Sequence, residues 1–224
     1  VREMECLETL YDQGIDGLIL EPAKSAMNTD NVNIVNKFIS RGVDVVFING
    51  YLQGVKAGRV LTDDGHGMKI LVERLFANGH SKVAGIFVSD LIQGKRRFKG
   101  FSDSMLSHNV DVSKDSILMY EISSPKTEIE NSIDEFLERI IRDKYSAVCC
   151  YNDMTAQIVI EILTQKGMKV PGDISVTGFD GSQIARLSAM YYLGEKPDIL
   201  SQNKKGSIAT VSHPCARAGE EAVK

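Results

Sequence analysis

The sequence contains no tryptophan, only four cysteines and no excess of basic residues. Its 224 residues include 26 Lys and Arg against 30 Asp and Glu, which gives a formal net charge of −4. A surface that binds DNA on its own usually carries a basic stripe, because its affinity comes largely from neutralising phosphates. No such stripe is visible here, so we do not expect the surface of this chain to bind nucleic acid.

Long apolar runs and paired cysteines are also missing. No run approaches the roughly 18 apolar residues of a membrane-spanning helix, and no signal peptide heads the chain, so we expect no membrane association. Cys149 and Cys150 are adjacent in an apolar segment, and no cysteine pair has C-x-x-C spacing. Adjacent residues on a strand point to opposite faces, which favours packed thiols over a disulfide. Unpaired thiols are typical of a reducing compartment, so we expect the cytoplasm.

The sequence motifs of common catalytic sites are absent. There is no G-x-S-x-G nucleophile elbow, no G-x-x-x-x-G-K-[ST] phosphate loop and no H-E-x-x-H zinc motif. The four histidines lie far apart and lack the i, i+4 spacing of a helical metal pair: His66, His80, His108 and His213. We therefore expect no catalytic residues, no metal site, no cofactor and no enzymatic activity.

Two short motifs leave alternatives open. Gly65-His66-Gly67 could form a phosphate-binding turn, although a lone G-x-G at a helix start is a weak signal. Asp63-Asp64 could be a general acid/base pair. A helix N-cap that also accepts hydrogen bonds from a ligand is the interpretation we favour.

What the chain does have is a regular alternation of helical and apolar strand patterns. The helical patterns cover Met4–Tyr11, Val32–Ser40, Met68–Ala77, Phe98–Ser107, Ile129–Ile141 and Thr155–Gln165. The strand patterns cover Gly17–Leu20, Val43–Ile48, Val60–Thr62, Val83–Val88, Ala147–Tyr151 and Ile174–Gly178. This order predicts an α/β fold in which parallel sheets are flanked by helices on both faces.

Polar residues follow the strand patterns where each strand ends. They are Glu21, Asn49, Asp63-Asp64, Ser89-Asp90, Asn152-Asp153 and Asp180. Open parallel sheets bind ligands beyond the carboxyl ends of their strands. The pattern therefore predicts a polar ligand site at those ends.

Several motifs, in order and spacing, resemble the effector domains of the lactose/galactose repressor family over nearly the whole chain. These motifs are Asp64 through Ile86, Arg97-x-x-Gly100-Phe101, Tyr151-Asn152-Asp153, Lys169 through Asp180, and Thr210 through Pro214. More narrowly, Gly17 through Ala26 and Gln93-Gly94-x-x-x-Arg97 resemble the arabinose-responsive repressors of bacteria. In those repressors an N-terminal winged-helix domain reads the DNA.

The resemblance implies a two-lobed, periplasmic-binding-protein-like fold with three crossovers between the lobes. We place the first lobe at residues 1–65 plus 209–224 and the second at 66–208. The chain opens on a helix, without the strand that a complete lobe places first, so we expect the first lobe to be partial. The resemblance further implies a homodimer, and a DNA-binding domain upstream of Val1 that contacts operator DNA.

The resemblance also implies a sugar in the cleft between the lobes, with L-arabinose as the expected effector. The predicted ligand-binding residues are Arg97, Asp180, Asn152, Asp64, Gln93, Glu21, Lys24 and His213. Sugar hydroxyls both donate and accept hydrogen bonds. An arginine fork donates, carboxylates accept and an asparagine amide does both. Phe179 or Tyr151 would cover the apolar side of the sugar.

Each polar residue also has a purely structural interpretation. Arg97 could lie on a solvated basic face with Lys95 and Arg96, and Asp180 could only cap the turn that Gly181 completes. Asn152 could only hold its loop, and Asp153 is expected to cap the following helix rather than to bind ligand. Gly181 stands where the family often has a second aspartate, and the stretch 191–206 is longer than usual, so both features bear on the identity of the ligand.

These observations together predict the ligand-sensing domain of a transcriptional repressor, in which sugar binding changes the angle between the lobes and thereby the affinity for operator DNA. The alternative is a periplasmic sugar-binding protein that feeds a transporter, because that class has the same fold. Sequence upstream of Val1 would discriminate, since a helix-turn-helix indicates repression and a signal peptide indicates transport.

Overall fold

The computed structural model describes residues 2–23, 31–183, 209–212 and 221–223. The chain forms two compact units: unit 1 comprises Val1–Asp63, Ser89–Lys95 and Pro214–Lys224, and unit 2 comprises Asp64–Val88 and Arg96–His213. The segment 89–95 therefore groups with unit 1 and residues 209–212 with unit 2, unlike the lobes that we placed from the sequence. The assignment of these units to the lobes of an effector domain, and the three crossovers, stay predictions.

Unit 1 contains a parallel sheet and two helices. Its elements are α1 (Arg2–Gln13), β1 (Gly17–Leu20), α2 (Asn31–Ser40), β2 (Asp44–Ile48) and β3 (Gly58–Val60), with strand order β1-β2-β3. Leu18 of β1 and Val45 and Phe47 of β2 are buried in one cluster with residues of α1 and α2. The neighbouring Ile19 is 47% exposed, so the described core of unit 1 lies on one face of its sheet.

Unit 2 contains a four-stranded parallel sheet with the order β5-β4-β6-β7. Its elements are α3 (Asp64–Ala77), β4 (Val83–Val88), α4 (Ile92–Ser107, of which the first turn groups with unit 1), a 3₁₀ turn (Lys114–Ser116), β5 (Ile117–Tyr120), α5 (Lys126–Arg142), β6 (Ala147–Cys150), α6 (Asp153–Gln165) and β7 (Ser175–Thr177). The strands β4 and β6 lie in the middle of the sheet, and every residue of both is buried.

Alternate residues of the central strands pack into two separate cores. Ala84 and Ile86 of β4 join a cluster with α5 and α6, whereas Val83 and Phe87 join a cluster with α3 and α4. Because side chains alternate along a strand, the two clusters lie on opposite faces of the sheet. Helices therefore cover both faces of this sheet, and the predicted α/β architecture is confirmed for unit 2.

The adjacent cysteines follow the same alternation. Cys149 belongs to the cluster with α3 and α4, and Cys150 to the cluster with α5 and α6. Both are free, buried thiols, and burial raises the pKa of Cys149 to about 12. The prediction of packed thiols is confirmed for this pair.

Several element boundaries differ from the sequence pattern, and the largest shift is that of α4, which begins at Ile92 rather than Phe98. The strand β5 was not predicted; it lies at the edge of the sheet, and none of its four residues is fully buried. The strand β3 begins at Gly58 rather than Val60, since Val46 to Ile48 of β2 pair with Gly58 to Val60. The helix α3 begins at Asp64 rather than Met68, because its first turn carries glycines in place of the apolar residues that give a helix its periodicity.

No helix in the described part of the chain is long and apolar enough to cross a membrane. The predicted site residues Lys24 and His213, and the long stretch 191–206, lie outside the described residues.

Candidate functional site

Arg97 of α4 is the centre of a buried polar cluster in unit 2. Its side chain is only 4% exposed, and Nε donates a hydrogen bond of 2.9 Å to Oδ1 of the fully buried Asp64. Nη1 donates to the backbone carbonyl of Tyr151 at 2.8 Å, and Nη2 lies 3.3 Å from Oδ1 of Asp180. Two of the five N–H groups of the guanidinium thus donate hydrogen bonds to protein atoms, and Nη2 lies in an ion pair with Asp180, which leaves the N–H groups that are not so bonded for a ligand.

The Arg97 guanidinium contacts two aromatic rings. Its central carbon lies 3.8 Å from the ring centroid of Phe179 and 4.7 Å from that of Tyr151. Burial raises the pKa of the Tyr151 phenol, so this ring stays neutral beside the arginine charge. Such cation–π contacts contribute about 0.5–2 kcal/mol each. The alternative that Arg97 lies on a solvated basic face is wrong, although its neighbour Lys95 is exposed.

Glycines explain how the chain brings these residues together. Gly100 lies one turn after Arg97 on α4, and a Cβ at Gly100 would lie 2.2 Å from the carbonyl oxygen of Gly65 on α3. A Cβ at Gly67 would lie 2.7 Å from the ring of Phe179. The two helices can therefore approach closely enough for Arg97 to reach Asp64 at the start of α3. This packing role accounts for Gly65 and Gly67 without a phosphate-binding turn.

Asp180 lies in a turn whose backbone is left-handed. Its φ is 103°, which is rare for a residue other than glycine, and Gly181 follows with a φ of 63°. The backbone N–H of Asp180 donates to the carbonyl of Val211 at 2.9 Å. The carboxylate is 35% exposed and contacts Arg97, so a role limited to capping the turn does not account for it.

Asn152 opens helix α6 as its N-cap. Its amide oxygen accepts from the backbone N–H of Thr155 and from the Thr155 hydroxyl, both at 2.9 Å. Oη of Tyr120 lies 2.8 Å from that hydroxyl. Because the amide oxygen can only accept, the threonine proton is committed to it and Tyr120 is the donor to Oγ1 of Thr155. With its oxygen engaged, Asn152 offers a ligand the two N–H groups of its amide.

Asp153 was expected to cap this helix, and that prediction is wrong because Asn152 is the cap. The carboxylate of Asp153 is buried and accepts instead from the backbone N–H of Ser182 and from the Thr210 hydroxyl, both at 2.7 Å. These partners lie 29 and 57 residues further along the chain. No local sequence signal marks such a long-range role.

The remaining predicted residues lie in unit 1 or outside the described chain. Glu21 is exposed directly after β1, and Gln93 is buried in the first turn of α4. The structure brings Arg97, Asp64, Asp180 and Asn152 to one region of unit 2, at the ends of β6 and β7 and the start of α3. Ligand contact stays a prediction for all eight residues. Among the residues described, no group of three His, Cys, Asp or Glu side chains could hold a metal ion.

Comparison with known proteins agrees with the motifs. The sequence profile of the periplasmic binding protein-like domain matches residues 72–224. The arabinose metabolism transcriptional repressor of Geobacillus stearothermophilus is 30% identical over 223 residues, which is 100% of this chain and 57% of the repressor. That of Halalkalibacterium halodurans is 28% identical over 227 residues, covering 100% of this chain and 55% of the repressor. The chain thus spans about half the length of these relatives.

Solved structures of transcriptional regulators share the fold. A complex of the transcriptional regulator CelR with cellobiose matches with a TM-score of 0.76 and 21% identity, over 98% of this chain and 60% of that chain. A sugar-binding regulator of the LacI family from Escherichia coli matches with a TM-score of 0.72 and 20% identity, over 99% of this chain and 71% of that chain. These findings confirm the resemblance to lactose/galactose-type repressors, and the chain belongs to the family of periplasmic binding protein-like domains.

Proposed function

We propose that this chain is the effector-binding domain of a transcriptional repressor, and that its effector is a sugar, with L-arabinose as the first candidate. The observation that carries the proposal is the buried Arg97 cluster, in which a charged fork is held in one orientation beside Asp180 and Asn152. The relatives named above are transcriptional regulators, which favours repression over transport and over catalysis.

The donors and acceptors of the cluster suit a neutral polyol. Arg97 and Asn152 supply N–H donors, and the exposed part of the Asp180 carboxylate supplies acceptors. Each sugar hydroxyl can accept from the first pair and donate to the second. Hydrogen bonds to charged groups contribute about 1.5–3 kcal/mol each, and an epimer with one misplaced hydroxyl leaves a polar group of the site unpaired.

We assign Asp64 to the orientation of Arg97, because its side chain is fully buried and bonded to Nε. A carboxylate in that position fixes the rotation of the guanidinium, so the remaining N–H groups point in one direction before ligand arrives. Such preorganisation lowers the entropy lost on binding.

Regulation would follow from a two-state equilibrium. The domain has two arrangements, and without sugar almost all molecules are in one of them. A sugar that binds the other arrangement more tightly by about 5.5 kcal/mol moves almost all molecules into that second arrangement. Three or four charge-assisted hydrogen bonds supply a difference of that size. In the full-length homodimer this change would alter the operator affinity of the upstream DNA-binding domain.

Titration calorimetry with L-arabinose and a panel of other pentoses, hexoses and purines tests the proposal. We expect L-arabinose to bind with a favourable enthalpy and its epimers to bind at least tenfold more weakly. Asp180→Asn keeps the size of the side chain and removes its charge, and should weaken binding about ten- to a hundredfold. Absence of binding by every compound in the panel would refute sugar sensing.

A further inference from the structure

Asp153 is a buried polar residue of unit 2 that the proposed site does not use. Its residue exposure is 1%, and it makes three hydrogen bonds at once. The carboxylate accepts from the backbone N–H of Ser182 and from the Thr210 hydroxyl, each at 2.7 Å. Its own backbone N–H donates to the carbonyl of Phe179 at 2.9 Å.

These bonds enclose the turn that carries Asp180. Phe179 precedes Asp180 and Ser182 follows it by two residues, so one residue holds both sides of the left-handed turn. Thr210 adds a second tie, because its Oγ1 accepts from the backbone N–H of Gly181 at 3.0 Å while its proton goes to Asp153. Non-glycine residues with positive φ persist only where the surroundings enforce that conformation.

Close packing keeps the Asp153 carboxylate in place. A Cβ added at Gly178 would lie 2.2 Å from Oδ1 of Asp153, so the backbone of residue 178 passes directly over the carboxylate. The orientation of this side chain is thus set by the two hydrogen bonds that its carboxylate accepts and by the absence of a side chain at Gly178.

We propose that Asp153 is a positioning residue that sets ligand affinity by holding Asp180 beside Arg97, without touching the ligand itself. This inference rests on the proposed function, since it assigns a role at the same site. When the Asp153 carboxylate is lost, the Ser182 N–H and the Thr210 hydroxyl lose their acceptor, and the turn that carries Asp180 is held by fewer bonds when a sugar binds.

Asp153→Asn tests this with little change in volume. It replaces one of the two accepting oxygens by an amide nitrogen, so either the Ser182 N–H or the Thr210 hydroxyl loses its acceptor. We expect L-arabinose to bind about ten- to a hundredfold more weakly to this variant. Thr210→Val should show the same direction of change, whereas Thr210→Ser keeps the hydroxyl and should restore binding. Asp173→Asn is the matched control: that carboxylate also accepts a backbone N–H, from Lys169 at 2.8 Å, but in another turn.

Combining Asp153→Asn with Asp180→Ala shows whether Asp153 acts by positioning Asp180 or by stabilising the fold in general. If Asp153 acts through Asp180, then Asp153→Asn causes little further loss of affinity once Asp180 is gone. Additive losses in the two backgrounds would overturn the inference, as would unchanged affinity in Asp153→Asn and Thr210→Val. If the unaltered chain binds no sugar of the panel, the proposed function is wrong and this inference falls with it.

Discussion

The predicted polar residues at the strand ends of unit 2 differ in burial from Glu21, which follows the first strand of unit 1. In unit 2, Arg97 and Asp64 are buried and bonded to each other, and Asp180 completes the group. In unit 1, Glu21 follows β1 as an exposed side chain. Unit 2 also has buried clusters on both faces of its sheet, whereas the described core of unit 1 lies on one face. Stability and ligand binding should therefore be coupled in unit 2 and separable at Glu21.

The largest effect is expected for Arg97→Ala. It leaves the buried Asp64 carboxylate without its ion-pair partner, and breaking a buried pair costs about 3–5 kcal/mol. Urea denaturation should show that loss of stability, and calorimetry should show no sugar binding.

The double variant Arg97→Ala with Asp64→Asn sharpens this result. It should regain part of the lost stability, because no uncompensated charge is left inside unit 2, yet it should still fail to bind sugar. Equal stability of the single variant and the unaltered chain would mean that the pair contributes nothing to folding.

Gly100→Ala should have the next largest effect. Alanine in place of glycine within a helix normally stabilises by about 1 kcal/mol, but here the added Cβ would lie 2.2 Å from the carbonyl oxygen of Gly65. We expect urea denaturation to show a free energy of unfolding that is lower by about 1–3 kcal/mol, because α3 and α4 must move apart. Sugar binding should be weaker for the same reason. Lys99→Ala on the same helix is the control. Because Lys99 is exposed, its free energy of unfolding should stay within about 0.5 kcal/mol of that of the unaltered chain. A stabilised Gly100→Ala would contradict the packing that we describe.

The sequence predicted the parallel α/β architecture and most elements because apolar periodicity and strand-end polar residues are local signals. It also identified Arg97, Asp64, Asp180 and Asn152, which the fold brings into one region. The interpretation of Asp64 as a helix N-cap missed its real partner, since the contact with Arg97 depends on the close approach of Gly65 and Gly100.

Contacts between residues far apart in the chain could not be predicted from the sequence. Nothing near Asp153 indicates that its partners are Ser182 and Thr210, and nothing near Tyr120 indicates that it supports Thr155 at the cap of α6. Tyr120 also lies on β5, the edge strand without a fully buried residue that was not predicted.

Glu21→Ala tests whether stability and ligand binding are separable in unit 1. Because Glu21 is exposed, its removal should change the free energy of unfolding by no more than about 0.5 kcal/mol. If Glu21 accepts a hydrogen bond from the sugar, affinity should fall about tenfold in calorimetry. Unchanged affinity would remove Glu21 from the site.

The smallest effect concerns pH. Hydrogen bonds from Ser104 and His108 lower the pKa of Glu73, so the folded state favours its ionised form. That stabilisation is present above the ordinary glutamate pKa of about 4.3 and is lost as the pH falls through the lower pKa of the folded state. Because the Glu73 side chain is 41% exposed, we expect its ionised form to add no more than about 1 kcal/mol to the free energy of unfolding.

Urea midpoints at pH 7, 5 and 3 should show the advantage of the unaltered chain over Glu73→Gln shrinking only below about pH 4.3. Equal differences at all three pH values would show that the carboxylate charge of Glu73 does not stabilise unit 2.

A crystal structure of the protein with L-arabinose tests the central claim most directly. The account predicts sugar hydroxyls within about 3.2 Å of Arg97, of the Asn152 amide nitrogen and of the Asp180 carboxylate. A sugar bound elsewhere, with the Arg97 cluster untouched, would contradict it.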